Sequence, residues 1–285
     1  MIIDMHAHPW LMKEMYQSTD EITMSKKEMG WGLMSCHDMN MTRIELKDAK
    51  VDKTVVLPLD LTTQKGVQIP DNETVFKLVQ ENSDILLGFA SVDPYRKDRM
   101  QVLEDAFEKY HLMGLKLNPC KQHFYPSDPM MNEIYEYCIA QNKPIIFHAG
   151  MSWEPEAPMK YAKPIEFEEV AIQYPELRFS LSHFGWPWIQ ETVAILLKYP
   201  NVYADTAMLY MDSPRKFMQD IFEHQLGSLW LENNLKDKVM FGSNSPRFKP
   251  RRIIYGLDTL NLRPSTREKI MGKNALRFLG MEAES

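Results

Sequence analysis

Eight short apolar runs recur along the chain: IIDMHAH (2–8), TVVLPL (54–59), ILLGFASV (85–92), MGLKLN (113–118), PIIFHA (144–149), LRFSLSH (177–183), NVYADT (201–206) and KVMFGS (238–243). Near-continuous apolar strands belong to sheets covered on both faces, as when helices sheathe a parallel sheet. Amphipathic stretches of helical length lie between them. PDNETVFKLVQENS opens with a turn and cap signal, then places Val75, Leu78 and Val79 at helical spacing. RKDRMQVLEDAFEKYH, MMNEIYEYCIAQN, PIEFEEVAIQYP and PWIQETVAILLKYP follow the same pattern. Eight strand–helix units in 285 residues predict an α/β fold, a closed (β/α)8 TIM barrel rather than a doubly wound sheet. No GxGxxG or GxxxxGK[ST] turn is present, and no linker or composition break divides the chain. Residues 1–285 are therefore expected to form one barrel domain.

The rhythm breaks once, after the first strand. An insertion over about 10–50 is rich in Met and aromatic residues: Trp10, Met12, Met15, Tyr16, Met24, Met29, Trp31, Met34, Met39 and Met41. It is expected to be helical and packed on the barrel, with Met as an adaptable filler. Leaving the C-terminal end of a barrel strand, it is also placed to wall a substrate pocket.

Composition narrows the function. Hydrophobic residues at 44% and charged residues at 25% are ordinary for a soluble globular protein. The net charge of −6, without a basic stripe, argues against nucleic acid and anionic membranes as partners. Cys36, Cys120 and Cys138 are odd in number and widely spaced, which suits a reducing compartment. Asp4 and His6 interrupt the N-terminal apolar run and no basic segment precedes it, unlike a signal peptide. No apolar stretch reaches membrane-spanning length. A cytoplasmic protein is the resulting expectation.

The candidate chemistry sits at the strand ends. The first strand ends in His6 and His8, the fifth in His148 and the sixth in His183. The seventh carries Asp205, the fourth Lys116 and Asn118, and the eighth ends Gly242, Ser243, Asn244. In a parallel barrel these termini converge on one face, and clustered neutral imidazoles are the commonest zinc-binding set. His37, His111, His123 and His224 lie off the strand ends and are read as ordinary surface or core residues.

The segments IIDMHAHPW, GLKLNP with YPSDPMMNEIYEYC, PIIFHAG, LSHFGWPW, NVYADTA and VMFGSNSP also occur in the order seen in the amidohydrolase superfamily. Over roughly residues 1 to 280 the chain most resembles the amidohydrolase-related branch, which includes aminocarboxymuconate semialdehyde decarboxylase-like enzymes. The resemblance implies a metal-dependent barrel holding one divalent ion, with zinc the first expectation. His6 and His8 match the first-strand ligands and His148 the fifth-strand ligand. His183 matches a histidine that contacts the catalytic water or substrate. The eighth-strand position normally holds an aspartate that binds the metal and accepts a proton, and this chain has Asn244 there.

That departure leaves three readings. In the first, metal-activated water attacks an amide, ester or lactone, with His183 as acid/base and Asp205 orienting it or approaching the metal through water. The second is a decarboxylase in which His183 delivers a proton to carbon. The third is a barrel that has lost catalysis and binds a ligand or partner. Lys116 is expected to face the pocket or pair with a carboxylate. Trp153 and Trp186, with Trp188, follow ligand-bearing strands and are expected to line a substrate pocket. Arg247, Lys249, Arg251 and Arg252 read as a solvated loop and helix start. The expected partner is a small-molecule substrate, and a homodimer is expected at the family level only.

Overall fold

A computed structural model describes residues 1–8, 12–16, 18–28, 36–207 and 213–281. Its strands are β1 (Ile3–Ala7), β2 (Lys53–Val56), β3 (Leu59–Leu61), β4 (Val67–Ile69), β5 (Leu86–Gly88), β6 (Ala90–Ser91), β7 (Leu115–Leu117), β8 (Ile145–Phe147), β9 (Phe179–Leu181), β10 (Val202–Asp205) and β11 (Val239–Met240). The orders β1-β2-β5 and β6-β7-β8-β9-β10-β11 are parallel throughout. Phe89 separates β5 from β6, and its amide donates to the Val56 carbonyl at 3.1 Å, so the two segments form one barrel strand. Closure comes from the amides of Met5, Asn244 and His8, which donate to the carbonyls of Phe241, His6 and Ser245 at 2.9, 2.8 and 2.7 Å. The expected eight-stranded barrel is therefore present.

Alternation along these strands decides which residues reach the site. Leu115, Leu117, Ile145, Phe147, Phe179, Leu181, Val202, Ala204, Val239 and Phe241 join the larger core with the helices. The intervening positions point the other way, into the barrel. Ile146, Tyr203 and Met240 meet Ile3, Met5, Val55, Leu57 and Phe89 in a second apolar cluster, to which the helix Asn274–Leu279 adds Phe278. Two residues further along their strands come His148, Asp205 and Gly242. The interior thus changes from apolar to polar toward the C-terminal ends.

Local signals account for the covering helices. Asp71 caps the helix Asn72–Glu81 by accepting from the Thr74 amide at 2.7 Å, and Val75 and Leu78 are buried beneath it. In the insertion, Asp38 caps Met39–Ala49 in the same way, and Thr19–Glu28 forms a second helix. Met12, Met15 and Met39 are buried in the main core, so these parts of the insertion pack on the barrel as expected. Trp10, Met29, Trp31 and Met34 lie outside the described residues.

Two differences from the sequence reading have physical causes. The second strand ends at Val56 rather than continuing to residue 59. Pro58 has no amide to donate to a ladder, and Leu59–Leu61 turns away to pair antiparallel with Val67–Ile69. That hairpin was not expected.

The β1–β11 seam also contains a buried polar stitch. Asp4 Oδ1 accepts from the amides of Ser243 and His6 at 2.8 and 3.1 Å, and the Ser243 hydroxyl donates to Oδ2 at 2.5 Å. Burial pushes the Asp4 carboxyl up to about 7. Ser243→Ala removes one partner from a fully buried carboxyl and should cost about 1–3 kcal/mol. Urea unfolding checks this, and an unchanged midpoint would mean that the stitch adds nothing to barrel closure.

Candidate metal centre

His6, His8, His148 and His183 are all buried and lie side by side. The His6 ring is 4.9 Å from His8 and 4.7 Å from His183, centroid to centroid, and His148 is 4.8 Å from His183. His6 Nε2 and His8 Nε2 are 3.2 Å apart, as are His183 Nε2 and His148 Nδ1.

The other nitrogen of each ring faces an oxygen. His6 Nδ1 lies 2.9 Å from Asp205 Oδ2, and His183 Nδ1 lies 3.0 Å from the Ala207 carbonyl. His148 Nε2 is 3.1 Å from the Met151 carbonyl, and His8 Nδ1 is 3.5 Å from the Leu57 carbonyl. These oxygens only accept, so each assigns the ring proton to the nitrogen facing it. Burial holds all four imidazoles neutral: His148 falls to about 3, and His6, His8 and His183 lie well below the usual histidine value. The Lys116 charge adds to this at every ring. A neutral imidazole has one N–H, so the nitrogens that face one another across 3.2 Å present lone pairs.

Facing lone pairs repel unless a cation lies between them. Nitrogens bound to a tetrahedral zinc at its usual bond length are roughly 3.3 Å apart, close to the 3.2 Å between His6 Nε2 and His8 Nε2, and His183 Nε2 lies beside the third inward nitrogen, His148 Nδ1. The donor set therefore fits a divalent metal.

Asp205 is the carboxylate of the cluster. Besides the His6 ring, its Oδ1 accepts from the amides of His183 at 2.8 Å and Ala207 at 3.0 Å. His183 has left-handed backbone, φ 61° and ψ 23°, which a bulky residue adopts only when its surroundings hold it. The two bonds from its own residue and from Ala207 do this. A group of three possible donors, His6, His183 and Asp205, has its ligand atoms within 4.8 Å of one another. Asp205 thus bonds the His6 ring and the His183 backbone rather than the His183 ring.

Asn244 follows β11, is buried, and has φ 62°, a region asparagine tolerates well. Its amide bond to the His6 carbonyl places its backbone beside the first histidine. Lys116 is buried on β7, with Nζ 3.3 Å from Ser182 Oγ, and burial pulls it down to about 7. The tryptophans are placed differently. Trp186 packs against the main core, and Trp153 is 58% exposed on the segment after His148. Lys249 precedes, and Arg251 and Arg252 open, the helix Pro250–Asp258 with exposed side chains, as expected, and Lys249 and Arg251 also pair with Glu45 and Asp48 on the insertion helix. Sequence reasoning missed the part-buried Lys121–Glu154 pair at 2.7 Å, whose lysine sits close enough to depress His8 and His148. Nothing in the chain pattern signals it.

A barrel with imidazoles gathered at its strand ends defines a class of metal-dependent enzymes, and comparison with known proteins agrees. Residues 3–281 match the amidohydrolase family, and the chain belongs to it. Family members are metal-dependent enzymes. An uncharacterized TIM-barrel protein from Bordetella bronchiseptica superposes with a TM-score of 0.77 at 20% identity, covering 98% of both chains. 4-Oxalomesaconate hydratase from Rhodopseudomonas palustris gives 0.66 at 19% identity, covering 99% of this chain and 96% of the other. 5-Carboxyvanillate decarboxylase from Novosphingobium aromaticivorans, solved with bound manganese, gives 0.66 at 15% identity, covering 98% and 97%. Protein fluG of Emericella nidulans is 28% identical over 85 residues, a match spanning 30% of this chain and only 10% of that protein. No helix among the described residues is long and apolar enough to cross a membrane.

Proposed function

We propose that this chain is a metal-dependent hydrolase acting on an amide, ester or lactone of a small organic substrate. The observation that carries the reading is the set of inward lone pairs on His6, His8, His148 and His183. His6, His8 and His148 would hold the ion, for which zinc remains the first choice and manganese the alternative, with Asn244 as a weak further donor. A bound divalent ion supplies Lewis acidity and lowers the pKa of coordinated water toward neutrality.

His183 is then the acid/base. Its Nδ1–H is committed to the Ala207 carbonyl and its Nε2 faces the cluster, so Nε2 is the atom at which the ring would take or give a proton. Asp205 already accepts three bonds and serves to hold the rings. Lys116 contributes a cation near the reacting centre.

Decarboxylation is the second reading. It is favoured by the neutral Asn244 where a carboxylate base would stand, and by the buried Lys116 ammonium, which would attract a substrate carboxylate. Named relatives in structure include a hydratase and a decarboxylase.

Three measurements test these roles. Lactones, esters and amides assayed beside aromatic carboxylates, with CO2 detection, separate the reactions. His183→Asn should retain metal and lose roughly 10²–10⁴ in kcat; full activity would remove His183 from the chemistry. Asn244→Asp restores a carboxylate and should tighten metal binding, read by competition with a chromogenic chelator. Unchanged or weaker affinity would place the residue 244 side chain away from the ion.

A further inference from the structure

We infer that Asp205 is the residue that sets metal affinity in this barrel. It locks His6 in its metal-binding tautomer and supplies, through that ring, the negative charge that the inward donors lack. It is a positioning residue, and the inference rests on the metal-centre reading above.

The charge balance leads to it. Imidazoles bind a metal only in their neutral form, so these rings and the neutral amide side chain of Asn244 offer a dication no compensating charge, and burial makes that deficit expensive. Among the described residues, Glu154 acts on His148 from the following segment but is paired with Lys121, and two carboxylates, Asp4 and Asp205, lie on the strands themselves. Asp4 is engaged by Ser243 and the His6 amide. Asp205 meets a ring nitrogen, His6 Nδ1, at 2.9 Å. A carboxylate that accepts the outer N–H of a ligating imidazole fixes its tautomer and orientation and makes the inner nitrogen a stronger donor. The charge missing at residue 244 is thus present one hydrogen bond further out.

The surroundings are built for that contact. Both Asp205 oxygens are occupied, Oδ2 by His6 and Oδ1 by the amides of His183 and Ala207, so the carboxylate cannot rotate without losing bonds. The Ala207 carbonyl receives the His183 ring in turn, which ties a second imidazole to the same turn. Gly242 makes room for the pair. A Cβ there would lie 3.0 Å from the His6 Cβ and 3.3 Å from the Asp205 Cβ, tighter than ordinary contact.

The test is a zinc titration of metal-free wild type and Asp205→Asn against a chromogenic chelator, followed by the visible spectrum of each cobalt-loaded protein. Asn keeps the size of the side chain but removes the charge and one of the two acceptor oxygens. Affinity should fall about 10- to 100-fold, and the cobalt bands should move. Equal affinity with an unchanged spectrum overturns the inference and leaves the metal centre standing. Failure of wild type itself to bind zinc overturns both. Should Asp205→Asn not fold, ¹⁵N NMR of the wild-type histidines decides. His6 protonated on Nδ1 supports the inference, and His6 protonated on Nε2 overturns it.

Discussion

A neutral imidazole has a single proton to place, and each of the four imidazoles in this barrel directs it outward. The acceptors are one carboxylate and three main-chain carbonyls, at Asp205, Ala207, Met151 and Leu57. The unprotonated nitrogens are left facing each other in a buried space. Much of the structure can be understood as the means of imposing that arrangement. Parallel strands bring His6, His8, His148 and His183 to one end. Alternation turns His148 inward, the register shift in β1 between Asp4 and Ala7 and the left-handed backbone of His183 bring the other rings to it, and the helices around the outer face keep the site dry enough for the rings to stay neutral.

The acceptors come from segments just beyond the strands, so the site depends on loop backbone as much as on side chains. Ala207 and Met151 lie two and three residues past Asp205 and His148, and Leu57 follows β2 directly. The left-handed His183 is part of this arrangement, because its amide must reach Asp205 while its ring reaches Ala207. Asp4 and Ser243 join β1 to the segment after β11, which fixes the register of His6 against Gly242 and Asn244.

Much of this was legible in the sequence, for reasons that differ by residue. Histidines ending apolar runs stand out because the run fixes the strand and the strand fixes the face, so His6, His8, His148 and His183 were readable together. Asp205 was readable as an acid at a strand end, but not its partner. Which ring it meets depends on how neighbouring strands are offset, and the chain pattern does not carry that. Carbonyl acceptors are invisible to sequence because every residue has one. The second strand was read through Pro58 to residue 59, although a proline cannot continue a ladder, and the hairpin beyond it rests on the pairing of Leu59–Leu61 with Val67–Ile69. Trp186, expected on a pocket wall, is partly buried against the core. An aromatic residue after a ligand strand serves either role, and only packing decides.

The account stands on the lone pairs having a cation to meet. Crystals of the protein loaded with zinc, measured on both sides of the zinc absorption edge, test this most directly. An anomalous peak bounded by His6 Nε2, His8 Nε2 and His148 Nδ1 is the predicted result. No peak there, with the four rings repaired by protonation or by rotation away from one another, would contradict it.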